Sequence, residues 1–357
     1  MPATIASFKI DYYQFLSPDG RVISDDVPPL ATDWEKLKSL YSLMVTTRVF
    51  DKKAIALQRT GKMGTYASCL GHEAAHISMG SAMRAEDCYA PSYREYGAQF
   101  CRGVKMSEVL TYWGGDERGS DFSGPRHDFA WCVPIATQCM HAAGAALAFK
   151  LRGEKRVAVS SVGDGGSSKG DSLEAINAAS AFNLPLVLAI INNQWAISVP
   201  RSKQNSAKTL AQKGIAGGLP SIQVDGNDII ACHWAMEQAI EQAREGGGPT
   251  VVEMITYRLT DHTTADDARR YRGEEEVKNA WQMEPIKRLR AYLKDQGVWN
   301  DKQELELLER AGKEVEAAVE EYLAMGDPGI ESMFDYMFEN MPAELEAQRQ
   351  RALEESI

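Results

Sequence analysis

Residues 156–193 read RVAVSSVGDGGSSKGDSLEAINAASAFNLPLVLAIINN. The order of apolar runs, glycines and polar residues in this stretch decides the fold. Arg156 to Val162 has the length and apolar content of a short buried strand. Gly163-Asp164-Gly165-Gly166 follows as a turn, and Asp171-x-x-Glu174 resembles a capping box opening a helix that runs to about Phe182. Leu184 to Ile191 is a continuous apolar run, the mark of a parallel strand covered on both faces. Downstream, Ser221 to Val224 and Thr250 to Thr256 read as two more strands, with a helix from about Ile229 to Arg244 between them. Strand and helix alternating in this way predict an α/β fold, a parallel sheet covered by helices on both faces.

Working outward, residues 1–32 carry Pro18, Gly20, Pro28 and Pro29 among short apolar patches, as expected of an extended N-terminal arm. From Asp33, an expected N-cap, Trp34, Leu37, Leu40, Tyr41, Met44 and Val45 recur at helical spacing. The stretch from Thr60 to Gly97 is rich in Gly, Tyr and Ser and reads as loops between short helices. An Ala-rich helix should run from about Thr137 to Arg152 and close at Gly153. After Gly273 the pattern is helical to the end, broken at Gly326-Asp327-Pro328-Gly329. The expected organisation is an arm (1–32), one large α/β domain (33–300) and an acidic helical C-terminal extension (301–357).

Composition narrows the function classes. The 357 residues hold 39 Lys+Arg and 50 Asp+Glu, a formal net charge of −11. That sign, with no basic stripe, argues against nucleic-acid binding. No apolar run approaches the roughly 20 residues of a membrane span, and no secretory signal pattern opens the chain. Six cysteines lie scattered without a C-x-x-C pair, so they are expected to be reduced and mostly buried, in a soluble cytoplasmic protein. The charge is unevenly placed: residues 301–357 contain 16 acidic and 5 basic residues, and the other 300 are neutral overall.

The chemistry concentrates where the first central strand should end. Ligands of open parallel sheets bind at the carboxyl ends of strands. Glycines there let the backbone approach a ligand, and exposed N–H groups favour phosphate. Asp164 would repel a phosphate unless a cation bridged the two, which suits magnesium, commonly held by one or two protein oxygens plus phosphate oxygens. Asn192-Asn193 ends the next strand, so an Asn side-chain oxygen can join Asp164 on one ion. GDG, 26 intervening residues and NN together form the thiamine-diphosphate motif of the thiamine enzymes. No G-x-G-x-x-G fingerprint, zinc-spaced Cys/His cluster or G-x-S-x-G elbow is present.

From Gly163 through Gln204, and in SYRE, PIATQ, VDGND, YRLTDHTTADDARRYR and MPAEL, the sequence resembles the alpha subunit of two-component 2-oxoacid dehydrogenases. The likeness runs from Tyr41 to about Trp299. It implies a thiamine-diphosphate-binding fold, with magnesium held by Asp164, the Asn193 side chain and the Trp195 carbonyl. It implies that Tyr93 and Arg94 reach the diphosphate, that Val133 and Ile135 contact the aminopyrimidine, and that Gly163, Gly165 and Gly166 give backbone contacts. His262 is implied to contact the diphosphate and to assist transfer to a lipoyl group, with Tyr257 and Arg258 as supports; the other five histidines keep an ordinary structural reading. The implied partners are a beta subunit, in an α2β2 heterotetramer, which brings a glutamate that this chain lacks, and a lipoyl-bearing acyltransferase. Pyruvate is the favoured substrate, since GDGGSSKGD…AISVP…KTLAQK resembles bacterial pyruvate enzymes. HTTADDARRYR leans toward a branched-chain 2-oxoacid; acetoin and a non-catalytic paralogue are the remaining alternatives.

Overall fold

A computed structural model describes residues 2–326, 328–335 and 337–355. The strands are β1 (Tyr12–Tyr13), β2 (Cys88–Ala90), β3 (Ala158–Gly163), β4 (Leu186–Asn192), β5 (Trp195–Ala196), β6 (Val199–Pro200), β7 (Ser221–Asp225) and β8 (Thr250–Ile255). The helices are α1 (Trp34–Arg59), α2 (Glu73–Ala82), α3 (Tyr96–Arg102), α4 (Met106–Trp113), α5 (Thr137–Arg152), α6 (Gly170–Ala181), α7 (Arg201–Gln204), α8 (Gln212–Ala216) and α9 (Ile229–Arg244). The chain continues with α10 (Glu274–Gln282), α11 (Pro285–Asp295), α12 (Asp301–Ala324), α13 (Ser332–Asp335) and α14 (Ala343–Glu354). Six strands make one parallel sheet in the order β1-β7-β8-β4-β3-β2, and β5 and β6 form a small antiparallel ribbon beside it.

Helices cover both faces of the sheet, which explains the unbroken apolar run of β4. Leu186, Leu188 and Ile190 pack with Ala142 and Ala146 of α5 and Ile176 of α6. Val187, Ala189 and Ile191 pack on the opposite side with Ile77 of α2 and Ile230, Met236 and Ile240 of α9. Both faces of one strand are therefore core, and no polar alternation survives in its sequence. A third cluster joins Phe50, Ala54 and Leu57 of α1 to Val109 and Leu110 of α4 and to Val315 and Val319 of α12.

Several local expectations are realised. Asp33 caps α1 by accepting from the Lys36 amide at 3.0 Å, and Gly153 closes α5 at φ 68°. All six cysteines are free, with only Cys101 partly exposed. No helix among the described residues is long and apolar enough to cross a membrane.

Two other expectations need correction, the capping box and the loops before Gly97, while the arm and the C-terminal extension gain detail. Asp171 and Glu174 form no capping box: α6 starts at Gly170 after Lys169, with no side-chain cap, and the Asp171 carboxylate instead accepts from Thr137 Oγ1 at 3.3 Å. The Thr60 to Gly97 stretch contains a strand, β2, which pairs with β3 at the sheet edge. Part of the N-terminal arm belongs to the sheet. Tyr12 and Tyr13 pair with β7, and Asp228 Oδ2 accepts from the amides of Phe15 and Leu16, both at 2.7 Å. The other oxygen of Asp228 caps α9 through Ile230 and Ala231, so one buried carboxylate ties the arm to the fold. In the acidic C-terminal stretch, α12 buries Leu307, Ala311, Val315 and Val319, a four-residue repeat that lays one stripe against α1 and α4. Asp327, in the expected break after α12, lies outside the described residues.

Candidate active site

β3 and β4 run parallel in register, with Gly163 opposite Ile191, so the turns that follow them open at the same edge of the sheet. A cavity of about 350 Å³ lies there, at the strands' carboxyl ends. Asp164 enters it from β3, its amide bonded to the Ile191 carbonyl at 3.2 Å. Asn193 enters from β4, its Oδ1 accepting from the Trp195 amide at 3.2 Å. Asn192, its neighbour, turns the other way and donates to buried Glu253 at 2.7 Å. Only the second residue of the Asn pair therefore faces the site.

Asp164 is almost completely buried, and among the described residues its Oδ2 has no hydrogen-bond partner. Burial raises its pKa from the ordinary 3.8 to about 6, against opposing pulls from backbone amides and from Arg258 and Arg201. An unpartnered buried carboxylate is unfavourable unless a cation satisfies it. Among the described residues no three His, Cys, Asp or Glu side chains converge as a metal-binding group. A cation here would draw on one carboxylate, the Asn193 amide oxygen and the Trp195 carbonyl, which accepts a long 3.3 Å bond from Arg258 Nη1. An oxygen-only donor set with few protein ligands suits a hard cation that keeps other oxygens, such as magnesium.

The wall also carries a buried cation, Arg94, with a second, Arg258, behind the lining. Arg94, between β2 and α3, is buried; its guanidinium donates to the Ser68 and His262 carbonyls, the latter at 2.9 Å. Arg258, three residues beyond β8, is fully buried and donates to Ile197 O at 2.8 Å and Tyr271 Oη at 2.9 Å. Among the described residues neither guanidinium forms a salt bridge with a carboxylate, each donating instead to uncharged oxygens; burial and the charge on Arg94 lower the pKa of Arg258 to about 10. His262 sits between them, with Nδ1 3.2 Å from Arg94 Nη2 and 3.3 Å from Arg258 Nη1. Burial and these two cations push its pKa down to about 3, so the ring is neutral near pH 7. Since both guanidiniums can only donate, Nδ1 is the acceptor and the ring proton resides on Nε2, 3.5 Å from Tyr93 Oη.

Glycine is required at two positions of the turn. A Cβ on Gly166 would lie 2.5 Å from Val162 Cγ2 and 3.0 Å from Ile135 Cγ2, and one on Gly165 would lie 2.7 Å from Ala196 Cβ. Gly163 has no such neighbour.

The cavity thus brings together Tyr93, Arg94, Ile135, the four residues of the GDGG turn, Asn193, Trp195 and His262. Val133 is not part of its lining and is half exposed. The lining also holds residues to which the sequence assigned no site role, among them Lys169, His72, which read as structural, and Gln138 and Gln204, each with a buried side-chain oxygen that has no partner among the described residues. Nothing in their local sequence signals this, because burial and lack of a partner arise only from the tertiary arrangement.

A parallel α/β sheet carrying an acidic turn, an asparagine and a buried arginine at one strand edge defines the class: an α/β enzyme fold with its ligand cavity at the carboxyl ends of the strands. A family model, "Dehydrogenase E1 component", matches residues 41–331, and the chain belongs to that family. It is 40% identical over 341 residues to the pyruvate dehydrogenase E1 component subunit alpha of Staphylococcus epidermidis, covering 95% of this chain and 92% of that one. The protein of the same name from Staphylococcus aureus is 39% identical over the same shares. The 3-methyl-2-oxobutanoate dehydrogenase subunit alpha of Mycobacterium tuberculosis is 38% identical over 353 residues, 97% of this chain and 95% of that one. The protein is an oxidoreductase of the 2-oxoacid dehydrogenase E1 class, of alpha-chain type.

Proposed function

We propose that this chain is the alpha subunit of a pyruvate-decarboxylating E1 component, working with thiamine diphosphate and magnesium. The observation that carries the reading is the convergence on one cavity of a buried carboxylate oxygen, Asp164 Oδ2, that has no partner among the described residues, with the buried guanidinium of Arg94 and with His262, which Arg258 backs from outside the lining. A metal ion answers the first and a diphosphate the second. Thiamine diphosphate, when bound, supplies the electron sink for decarboxylation.

The chain's own groups hold and shield it. Asp164, Asn193 Oδ1 and the Trp195 carbonyl hold the metal, and Gly165 and Gly166 keep the backbone close enough for amide contacts. Tyr93 and Arg94 bind the diphosphate, with Arg258 fixing His262 from behind. Ile135 forms an apolar wall against the cofactor rings. His262 keeps a proton on Nε2, placed to donate to an oxyanion or to a departing sulfur when the acyl group passes to a lipoyl acceptor. The exposed apolar rim, with Ile135 at 40% and Ile197 at 57%, supports a second chain, the beta subunit, completing the site.

A second reading has its own support: the 38% identical relative named for 3-methyl-2-oxobutanoate spans nearly the whole chain. The two are separated by kcat/KM on pyruvate and on 3-methyl-2-oxobutanoate with the assembled alpha and beta chains. Pyruvate should be preferred at least tenfold, and the reverse preference would move the assignment to the branched-chain type.

A further inference from the structure

His72 lines the active-site cavity, is fully buried, and among the described residues has a hydrogen-bond partner on neither ring nitrogen. It precedes α2 as the N-cap residue, yet its side chain makes no capping bond. The ring is therefore not held by the local task that residues at this position usually perform. His76, one turn further, meets it edge-on at 5.3 Å between ring centroids and also has both nitrogens unpartnered, but does not line the cavity. A buried imidazole with nothing to bond is unfavourable in an empty fold, and an apolar residue would pack there without that penalty. Burial, His76, Arg94 and Arg258 hold the His72 pKa well below its ordinary value, so the ring is neutral and keeps one N–H. A neutral N–H at the wall of a cavity that Arg94 and Lys169 also line suits an acceptor oxygen, and the two cations favour one that is anionic.

We propose that His72 is a further binding residue of this site, donating its imidazole N–H to an oxyanion of the bound molecules. That oxyanion is the diphosphate of the cofactor or the carboxylate of the 2-oxoacid. The inference rests on the thiamine-diphosphate reading above. His76 packs behind the ring and takes no part in binding.

The test uses the assembled alpha and beta chains freed of cofactor, as wild type, His72→Leu, His72→Gln and His76→Leu. Three quantities are measured: the thiamine diphosphate Kd with magnesium by titration calorimetry, the KM for pyruvate, and the urea midpoint of the cofactor-free protein. His72→Leu should weaken thiamine diphosphate about tenfold if the diphosphate is the partner. If the carboxylate is the partner, it should leave that Kd unchanged and raise the pyruvate KM about tenfold. In either case His72→Gln, which retains a donor, should stay within threefold of wild type, His76→Leu should match wild type, and the urea midpoint of His72→Leu should not fall. Unchanged Kd and KM in His72→Leu overturn the inference. So does a loss that glutamine does not restore, one that His76→Leu reproduces, or one that comes with a lowered urea midpoint. Wild type that fails to bind thiamine diphosphate overturns the cofactor reading and this inference with it; wild-type binding matched by His72→Leu, with unchanged KM, overturns this inference alone.

Discussion

Asp164→Asn should make the cofactor-free protein more stable while removing its response to magnesium. The Asp164 carboxyl has a pKa near 6 in the fold and 3.8 as an ordinary aspartate. Below pH 3.8 it is protonated in folded and unfolded chains alike and imposes no penalty. Between 3.8 and about 6 the unfolded chain ionises while the fold retains the proton, so stability falls as pH rises. Above 6 the loss levels off at about two pH units, or ~3 kcal/mol at ~1.4 kcal/mol per unit. Asparagine retains one oxygen for the backbone amides and carries no charge, so at pH 7.5 the variant should gain about 2–3 kcal/mol. The gain should shrink as pH falls from 6 toward 4. Urea unfolding of cofactor-free protein at several pH values measures it directly. Thiamine diphosphate with magnesium should raise the midpoint of wild type and not of the variant. A variant less stable than wild type at pH 7.5, or a difference that does not depend on pH, would refute the reasoning.

Four further outcomes are expected. Gly166→Ala forces a Cβ against Val162 and Ile135, an overpacking of about 1–3 kcal/mol, and should weaken cofactor binding; Gly163→Ala, with open space around it, should do neither. Arg258→Met removes the buried cation that anchors His262, and with His262 no longer held in place to donate, the thiamine diphosphate Kd should rise by roughly 3- to 10-fold, the value of one ordinary hydrogen bond. Below pH 6 protonation of Asp164 competes with metal, so magnesium-dependent binding should weaken progressively toward pH 5, whereas His262, with a pKa near 3, should add no step between pH 5 and 8; titrations at fixed ionic strength check both. Asp228→Ala removes the cap of α9 and strands the Phe15 and Leu16 amides, and urea unfolding should show a loss of about 3–5 kcal/mol.

The centre of the sheet was legible because burial on both faces leaves a plain mark: β4 has no polar residue among Leu186 to Ile191. The edges were not. Two and three residues, as in β1 and β2, are too few to show a period, and their pairing depends on distant segments. Asp171-x-x-Glu174 has the spacing of a capping box, but the turn before it fixed the helix start at Gly170. Asp164 and Asn193 could be paired from the sequence, since parallel neighbours bring their strand ends together. The division of labour between Asn192 and Asn193 could not, because it depends on Glu253 lying beneath the first of them. Arg258 read as a support for His262; its full burial, with no carboxylate partner among the described residues, is a tertiary fact. The same holds for His72.

The central claim is that this chain supplies the metal and diphosphate half of a site that a second chain completes. The most direct measurement is calorimetric titration of thiamine diphosphate, with and without magnesium, into the alpha chain alone and into the cofactor-free alpha and beta assembly. The expected result is magnesium-dependent binding at one cofactor per alpha and beta pair, with the alpha chain alone at least a hundredfold weaker. Equal affinity for the isolated alpha chain, or tight binding that ignores magnesium, would contradict it.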